Sequence, residues 1–340
     1  MPQVSFAAGK NNDIFNPKSA LNRDNCLHPF IHLKNVLSKI GWKIDTCDMV
    51  DADSSDFIIF LNIPSRGHQK EFYDKCVKSG LQHKMVAILL EPPVTLPHNW
   101  DIRNHQNFKT IFTWNDDFVD NKKYFKFYFP QPPIPKIKQA PFSEKKLCTM
   151  VTGNNISSDP RELYTERIKA ARFFEKNAPG DFNLYGTQWN RRFSLRRLYH
   201  IRNFRSMQAY FSTSRLFTSY KGPVKSKLET LSKYKFSICY ENAKGFNGYV
   251  TEKIFDSLMA RCVPIYLGAD NIYDYVDKGT FIDKRKFTDY KELLCFIKSI
   301  DKEEHEEYTN RINEYLSSKK YRLFSSENFA RIIIDTLSIS

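Results

Sequence analysis

Residues 234–268 read YKFSICYENAKGFNGYVTEKIFDSLMARCVPIYLG, and their pattern decides the fold class. An apolar run at 236–240 leads into a polar loop. A stretch with helical apolar spacing follows at 251–261, then a second apolar run, VPIYL, at 263–267. The spacing predicts strand, loop, helix and strand, a crossover that joins two parallel strands. The loop carries Glu241, Asn242, Gly245 and Gly248 in a chain with only 12 glycines, and paired glycines suit a backbone that approaches a ligand closely. Thr251 is a good N-cap type, so the free N–H groups of the first helical turn form a ready anion site. Glu252 and Lys253 fall in that turn. Lys253 suits a phosphate, and Glu252 suits sugar or ribose hydroxyls.

The same alternation extends outward on both sides. Downstream of residue 141 the pattern predicts strands at 147–152 and 182–185, with helices at 160–177, 290–299, 303–316 and 326–337. Upstream it predicts a helix at 28–38, strands at 57–61, 85–90 and 108–114, and a helix at 71–80. Between the halves lies FPQPPIPKIKQAP, residues 129–141, whose five prolines forbid a helix or central strand and read as an extended linker. The expected domains are therefore 1–140 and 141–325, followed by a terminal helix at 326–340. Both are α/β with parallel sheets, and sheets of that kind bind ligands at the carboxyl ends of their strands, here in a cleft between facing domains.

Composition narrows the function classes. The chain has 340 residues, 41% hydrophobic and 26% charged, as a globular protein has. Its longest apolar run, 85–90, is far below the roughly 20 residues of a bilayer helix. MPQVSFAAGKNNDIF lacks a charged start before a long apolar stretch, so no signal peptide is expected. Seven scattered cysteines without a C-x-x-C argue against a disulfide framework or zinc knuckle and suit a reducing cytoplasm. Asp51-Ala-Asp53 has the letters of a metal-binding Asp-x-Asp but sits in a turn before a strand, so no metal is expected there.

Net charge is +14 and uneven: residues 182–228 contain no Asp or Glu and ten Arg or Lys, among them Arg191, Arg192, Arg196 and Arg197. Such a field attracts polyanions, whether nucleic acid, anionic lipid or a nucleotide diphosphate. A nucleic-acid-binding protein is the alternative of another class. It lacks a zinc finger or RNA-recognition aromatic motif and gives residues 249–253 no role, so no nucleic-acid partner is expected.

The segment closely resembles the nucleotide-sugar motif of the α1,3/α1,4-fucosyltransferase family, glycosyltransferase family 10. The shared elements are Tyr234-Lys235-Phe236, Glu241-Asn242, Tyr249-Val250-Thr251-Glu252-Lys253 and Val263-Pro264. Upstream, Asn154, Arg161 and Tyr185-Gly186 match a polar turn, a diphosphate-binding arginine and a strand end, with Arg167 competing for the arginine. The family's general base follows a buried strand and precedes a proline, which is the setting of Glu91 in MVAILLEPP. A carboxylate at a buried strand end has little freedom, and partial burial moves its pKa toward the range useful for proton abstraction.

The resemblance implies a GT-B fold of two Rossmann-like domains and an inverting, metal-independent transfer of fucose from GDP-fucose to a GlcNAc- or Glc-containing oligosaccharide or glycolipid. Donor binding is expected from Arg161, Glu241, Asn242, Tyr249, Thr251, Glu252 and Lys253, proton abstraction from Glu91, with no cofactor. A GT-B transferase using another nucleotide sugar is the alternative within the class. Without the N-terminal anchor of animal members, the chain looks like a bacterial, cytoplasmic member building surface polysaccharide, its basic stretch resting on the anionic inner face of the membrane.

Overall fold

The computed structural model describes residues 1–190, 207 and 216–339. The chain forms two units, Met1–Pro133 with Arg322–Ser340, and Ile134–Tyr321. The division falls inside the proline-rich run.

The first unit is built on six strands, β1 (Gln3–Ala7), β2 (Lys43–Thr46), β3 (Phe57–Leu61), β4 (Met85–Leu89), β5 (Thr110–Thr113) and β6 (Tyr124–Lys126). They pair in parallel in the order β2-β1-β3-β4-β5-β6. FIIFL and MVAIL lie at the centre, and every residue of β4 is buried. Continuous apolar runs are what a parallel sheet covered on both faces requires. Each fully buried Ile, Leu or Phe contributes roughly 1.5–3 kcal/mol. On one face Ile58, Phe60 and Leu89 pack with Phe72, Tyr73 and Cys76 of the Gly67–Lys78 helix.

The last helix, Ser326–Leu337, belongs to this unit rather than standing apart as a terminal appendage. Phe329 meets the Phe30 ring edge-on at 5.8 Å, and the Ser326 hydroxyl lies 2.8 Å from His28 Nδ1 on the His28–Lys39 helix. Those partners are nearly 300 positions apart in sequence, so local pattern could not pair them.

The second unit holds β7 (Lys146–Val151), β8 (Phe182–Tyr185), β9 (Tyr234–Tyr240), β10 (Val263–Leu267) and β11 (Ile282–Asp283), parallel in the order β11-β10-β9-β7-β8. The helix expected at 160–177 starts at Tyr164, leaving Pro160 and Arg161 in the preceding turn. The Glu252–Met259 helix crosses from β9 to β10, as the 234–268 pattern predicts.

Numbered within each unit, the first sheet runs 2-1-3-4-5-6 and the second 2-1-3-4-5, a doubly wound arrangement in both, so the chain carries two Rossmann-like units. The strand order reverses between β7 and β9 in the second unit, and a doubly wound sheet opens its ligand crevice at such a point.

Arg191, Arg192, Arg196, Arg197, Arg202, Arg205 and Arg215, the larger part of the acid-free basic stretch, lie outside the described residues. Among the described residues, no helix is long and apolar enough to cross a membrane.

Candidate active site

At the carboxyl ends of β7 and β9 a concavity is lined by Thr152, Arg167, Lys227, Tyr240, Lys253 and Asp256, together with neighbouring apolar side chains. It sits where the strand order reverses. Three cations converge here from three elements: Arg167 from the Tyr164–Asn177 helix, Lys227 from the Lys227–Leu231 helix, and Lys253 from the first turn of the Glu252–Met259 helix.

The buried anchor is Glu241, the residue after β9, which is wholly inaccessible to solvent. Its carboxylate accepts the Thr251 N–H at 2.9 Å and the Thr251 hydroxyl at 2.6 Å. Burial pushes this carboxyl up, against the lowering influence of Lys253 at 3.5 Å. Thr251 in turn caps the helix, accepting the Lys253 N–H at 3.5 Å and the Lys253 ammonium at 3.1 Å. The ammonium also reaches Glu252 at 3.2 Å. Lys253 is therefore held over the helix start by oxygens on three sides.

Glu252 is the most accessible of these residues, half-buried, with 44% of its side chain accessible. Burial raises its pKa, but Lys253 and Lys227 outweigh it and hold the carboxyl below the usual range. Lys227 pairs with Asp256 at 2.9 Å; burial pulls its pKa down, while Asp256 and Glu252 raise it by more. It stays protonated.

Arg167 is 2% exposed. One nitrogen, Nη2, donates to the Tyr240 carbonyl at 2.7 Å and to Asn242 Oδ1 at 3.0 Å. Its buried Nε has no hydrogen-bond partner. Burial lowers its pKa, yet a guanidinium stays charged in proteins. A buried cation with a spare donor, lining an open concavity, is suited to an anion.

Arg161 is placed differently. It pairs with Asp159 at 2.7 Å and lies over the Phe246 ring at 4.4 Å, outside the lining of the concavity. Its carbonyl accepts the Lys244 N–H at 3.0 Å, so it steadies the 241–250 loop. Asn242 does similar work, taking Arg167 on its side chain and the Leu163 N–H on its carbonyl at 3.0 Å. Tyr249, near the end of that loop, is 1% exposed. Of the residues singled out in sequence, Thr251, Glu252 and Lys253 share one helix start, with Glu241 behind them. In the sequence Lys227 is one member of the basic stretch, and nothing local in KSKLE distinguishes it.

Gly186, which the family pattern placed after a strand, sits at φ +123°, and a Cβ there would lie 1.9 Å from the Thr152 carbonyl. Only glycine lets β8 end so close to the rim residue Thr152.

In the first unit Glu91 stands two residues beyond β4, half-buried, in the chain that turns at Pro92. Asp51 pairs with Lys75 at 3.2 Å. Among the described residues no cluster of three or more His, Cys, Asp or Glu is arranged for a metal.

Residues 188–329 match the model of the glycosyltransferase family 10 (fucosyltransferase) C-terminal domain. This stretch is a glycosyltransferase family 10 domain. The chain is 40% identical over 75 residues to α-(1,3)-fucosyltransferase FucT of Helicobacter pylori, covering 22% of this chain and 16% of that protein. It is 41% identical over 70 residues to an α-(1,4)-fucosyltransferase of Arabidopsis thaliana, covering 21% and 17% respectively. The matches thus span about a sixth of those relatives' own lengths. A crystal structure of an α1,3-fucosyltransferase aligns over 99% of this chain and 90% of its own, at 16% identity and a TM-score of 0.56. That likeness gives the fold of the whole chain, GT-B.

Proposed function

We propose that this family 10 chain transfers L-fucose from GDP-fucose to a saccharide hydroxyl, inverting the anomeric carbon. The observation that carries the reading is the convergence of Arg167, Lys227 and Lys253 on one concavity at the switch point of the second unit. A structure of the same fold has been solved with GDP, at 16% identity and a TM-score of 0.55, which supports the choice of nucleotide. As the fucose–phosphate bond loosens, charge builds on the departing diphosphate. Fixed cations and helix-start N–H groups stabilise that charge more in the transition state than in the ground state. The Arg167 Nε donor and the Lys253 ammonium are the groups assigned to it, with Glu252 on a ribose or fucose hydroxyl. Glu91 is the base that takes the acceptor's proton. The three cations supply the positive charge the leaving group needs, so the reading includes no divalent ion.

The acceptor class is a GlcNAc- or Glc-containing oligosaccharide, joined in α1,3 or α1,4 linkage, and the setting is surface-polysaccharide synthesis at the inner face of a membrane. Composition supports the last point, through the acid-free basic stretch. Salt-sensitive binding to vesicles containing phosphatidylserine is expected, and indifference to them at low salt removes the membrane from the reading.

The test of the donor is a thermal-shift comparison of GDP, GDP-fucose, GDP-mannose and UDP-galactose, followed by turnover of the stabilising sugar with N-acetyllactosamine, with and without EDTA. Stabilisation by GDP-fucose and EDTA-resistant turnover are expected. Preference for a UDP-sugar would refute the donor assignment, and EDTA-sensitive turnover would refute the metal-free mechanism.

A further inference from the structure

The two residues that follow β4, Leu90 and Glu91, have all four of their backbone polar groups taken by side chains. The Leu90 and Glu91 N–H groups both donate to Asn62 Oδ1, at 2.9 and 3.0 Å. The Leu90 carbonyl accepts Trp114 Nε1 at 3.1 Å. The Glu91 carbonyl accepts Trp100 Nε1 at 2.8 Å and Asn99 Nδ2 at 3.2 Å. Strand ends ordinarily shed such groups to water or to backbone. Here four side chains from three separate segments converge on one two-residue piece of chain.

Asn62 is the centre of this arrangement. It directly follows β3 with φ +65°, in the left-handed region that non-glycine residues seldom occupy. Its Oδ1 accepts a third hydrogen bond, from Asn99 Nδ2 at 2.7 Å. Asn99 is wholly buried and anchored independently, its Oδ1 accepting the Ile63 N–H at 2.7 Å. The Asn99 carbonyl lies 2.7 Å from His105 Nε2. A carbonyl only accepts, so that nitrogen carries the proton, and His105 Nδ1 is left to accept from the Tyr124 hydroxyl at 3.0 Å. The chain of bonds runs from β6 to the residue after β4 and leaves Glu91 held through its peptide. Backbone strain of this sort persists only where its surroundings over-determine it, and it gathers at functional sites.

We propose that Asn62 is a positioning residue of the transfer reaction: by fixing both peptide N–H groups at Leu90 and Glu91, it sets where the Glu91 carboxylate stands. This rests on Glu91 being the base, the reading given above. It also gives Trp100 and Trp114 a role, since their ring N–H groups clamp the same piece of chain, and their rings pack together at 4.8 Å.

The variants are Asn62→Gly, which relieves the left-handed φ and removes the acceptor, Asn62→Asp, which keeps an acceptor, and Trp100→Phe, which keeps a ring but loses its N–H. Each is made alone and with Glu91→Gln, and release of GDP from GDP-fucose is followed with water and with N-acetyllactosamine. Asn62→Gly is expected to lower kcat by about 100-fold, the loss that a displacement near 1 Å brings, with KM for GDP-fucose unchanged. Asn62→Asp is expected to recover most of that loss, with the acidic limb of its pH profile moved upward by the added charge beside Glu91. Trp100→Phe is expected to cost less than Asn62→Gly. In the Glu91→Gln background Asn62→Gly is expected to cost nothing further, because the two act as a unit. A wild-type kcat in Asn62→Gly, or a loss that multiplies with that of Glu91→Gln, overturns the positioning role. If Asn62→Gly does not fold, Trp100→Phe carries the same two criteria. Wild-type turnover by Glu91→Gln alone instead removes the base assignment on which the role depends.

Discussion

Glu241 receives two hydrogen bonds from a single residue, Thr251, whose N–H and hydroxyl reach its carboxylate at 2.9 and 2.6 Å. A threonine hydroxyl has one proton. Since that proton goes to Glu241, the oxygen's lone pairs face the Lys253 N–H and ammonium. A carboxylate hidden behind the site thereby orients both the helix cap and the cation in front of it.

Replacing that carboxylate by its amide tests the arrangement. The amide of Glu241→Gln has one acceptor oxygen for two Thr251 donors and no charge for Lys253. Breaking a buried pair of this kind costs about 3 kcal/mol, read as a lower urea midpoint at unchanged slope. Weaker GDP binding in calorimetry is expected alongside, because Lys253 loses a restraint. An unchanged midpoint would show that the carboxylate does not hold the cap.

The two arginines separate cleanly. Arg167→Lys keeps a charge at the concavity but loses the planar fork that serves Tyr240, Asn242 and a bound anion together. It is expected to weaken GDP binding at least tenfold, about 1.4 kcal/mol. Arg161→Ala removes an Asp159 pair and a ring contact away from the concavity, and should change GDP affinity less than threefold, about 0.6 kcal/mol. The reverse ranking in calorimetric titrations would return the diphosphate to Arg161.

Much of this was legible in the sequence, for reasons that differ by element. FIIFL and MVAIL announce buried parallel strands because both faces are covered, and Thr251-Glu252-Lys253 announces a capped helix start because capping is local. β1, β2, β6 and β11 carry no readable local pattern, being two to five residues long and fixed by neighbours distant in sequence. The Tyr164–Asn177 helix starts four residues after Pro160, the start that proline's fit to a first turn predicts. That shift matters: with the helix beginning at Tyr164, Arg167 points its fork at Tyr240 while Arg161 stays in the turn. The Glu241–Thr251 contact and the convergence of Lys227 are tertiary facts, with no local signal.

Lys227 and Lys253 line the same concavity from different helices, so their contributions are expected to be coupled. Lys253→Ala is expected to weaken GDP binding by roughly 10- to 100-fold, as a charge-assisted contact worth about 1.5–3 kcal/mol does. Lys227→Ala removes the 2.9 Å pair with Asp256 and is expected to weaken binding by a smaller factor. The double variant should lose less than the product of the two, since residues within one network are not additive. Strict additivity in a double-mutant cycle would place the two lysines on separate parts of the ligand.

His305 supplies a pH test that is independent of catalysis. It is 3% exposed on the Lys302–Ser317 helix, packed between Phe142 and Phe236, with Nε2 3.3 Å from the Lys235 carbonyl. Burial drives its pKa down to about 4, against the opposing hydrogen bond to Lys235. The folded state therefore resists protonation that the unfolded chain accepts from pH 6.5 downward. Its contribution is complete above pH 6.5 and is lost as pH falls through 4, a swing of about 3 kcal/mol at 1.4 kcal/mol per unit. Urea unfolding from pH 7.5 to 4 should show wild type losing more stability than His305→Gln, with the difference opening below 6.5. Parallel curves for the two proteins would show that the imidazole does not titrate against burial here.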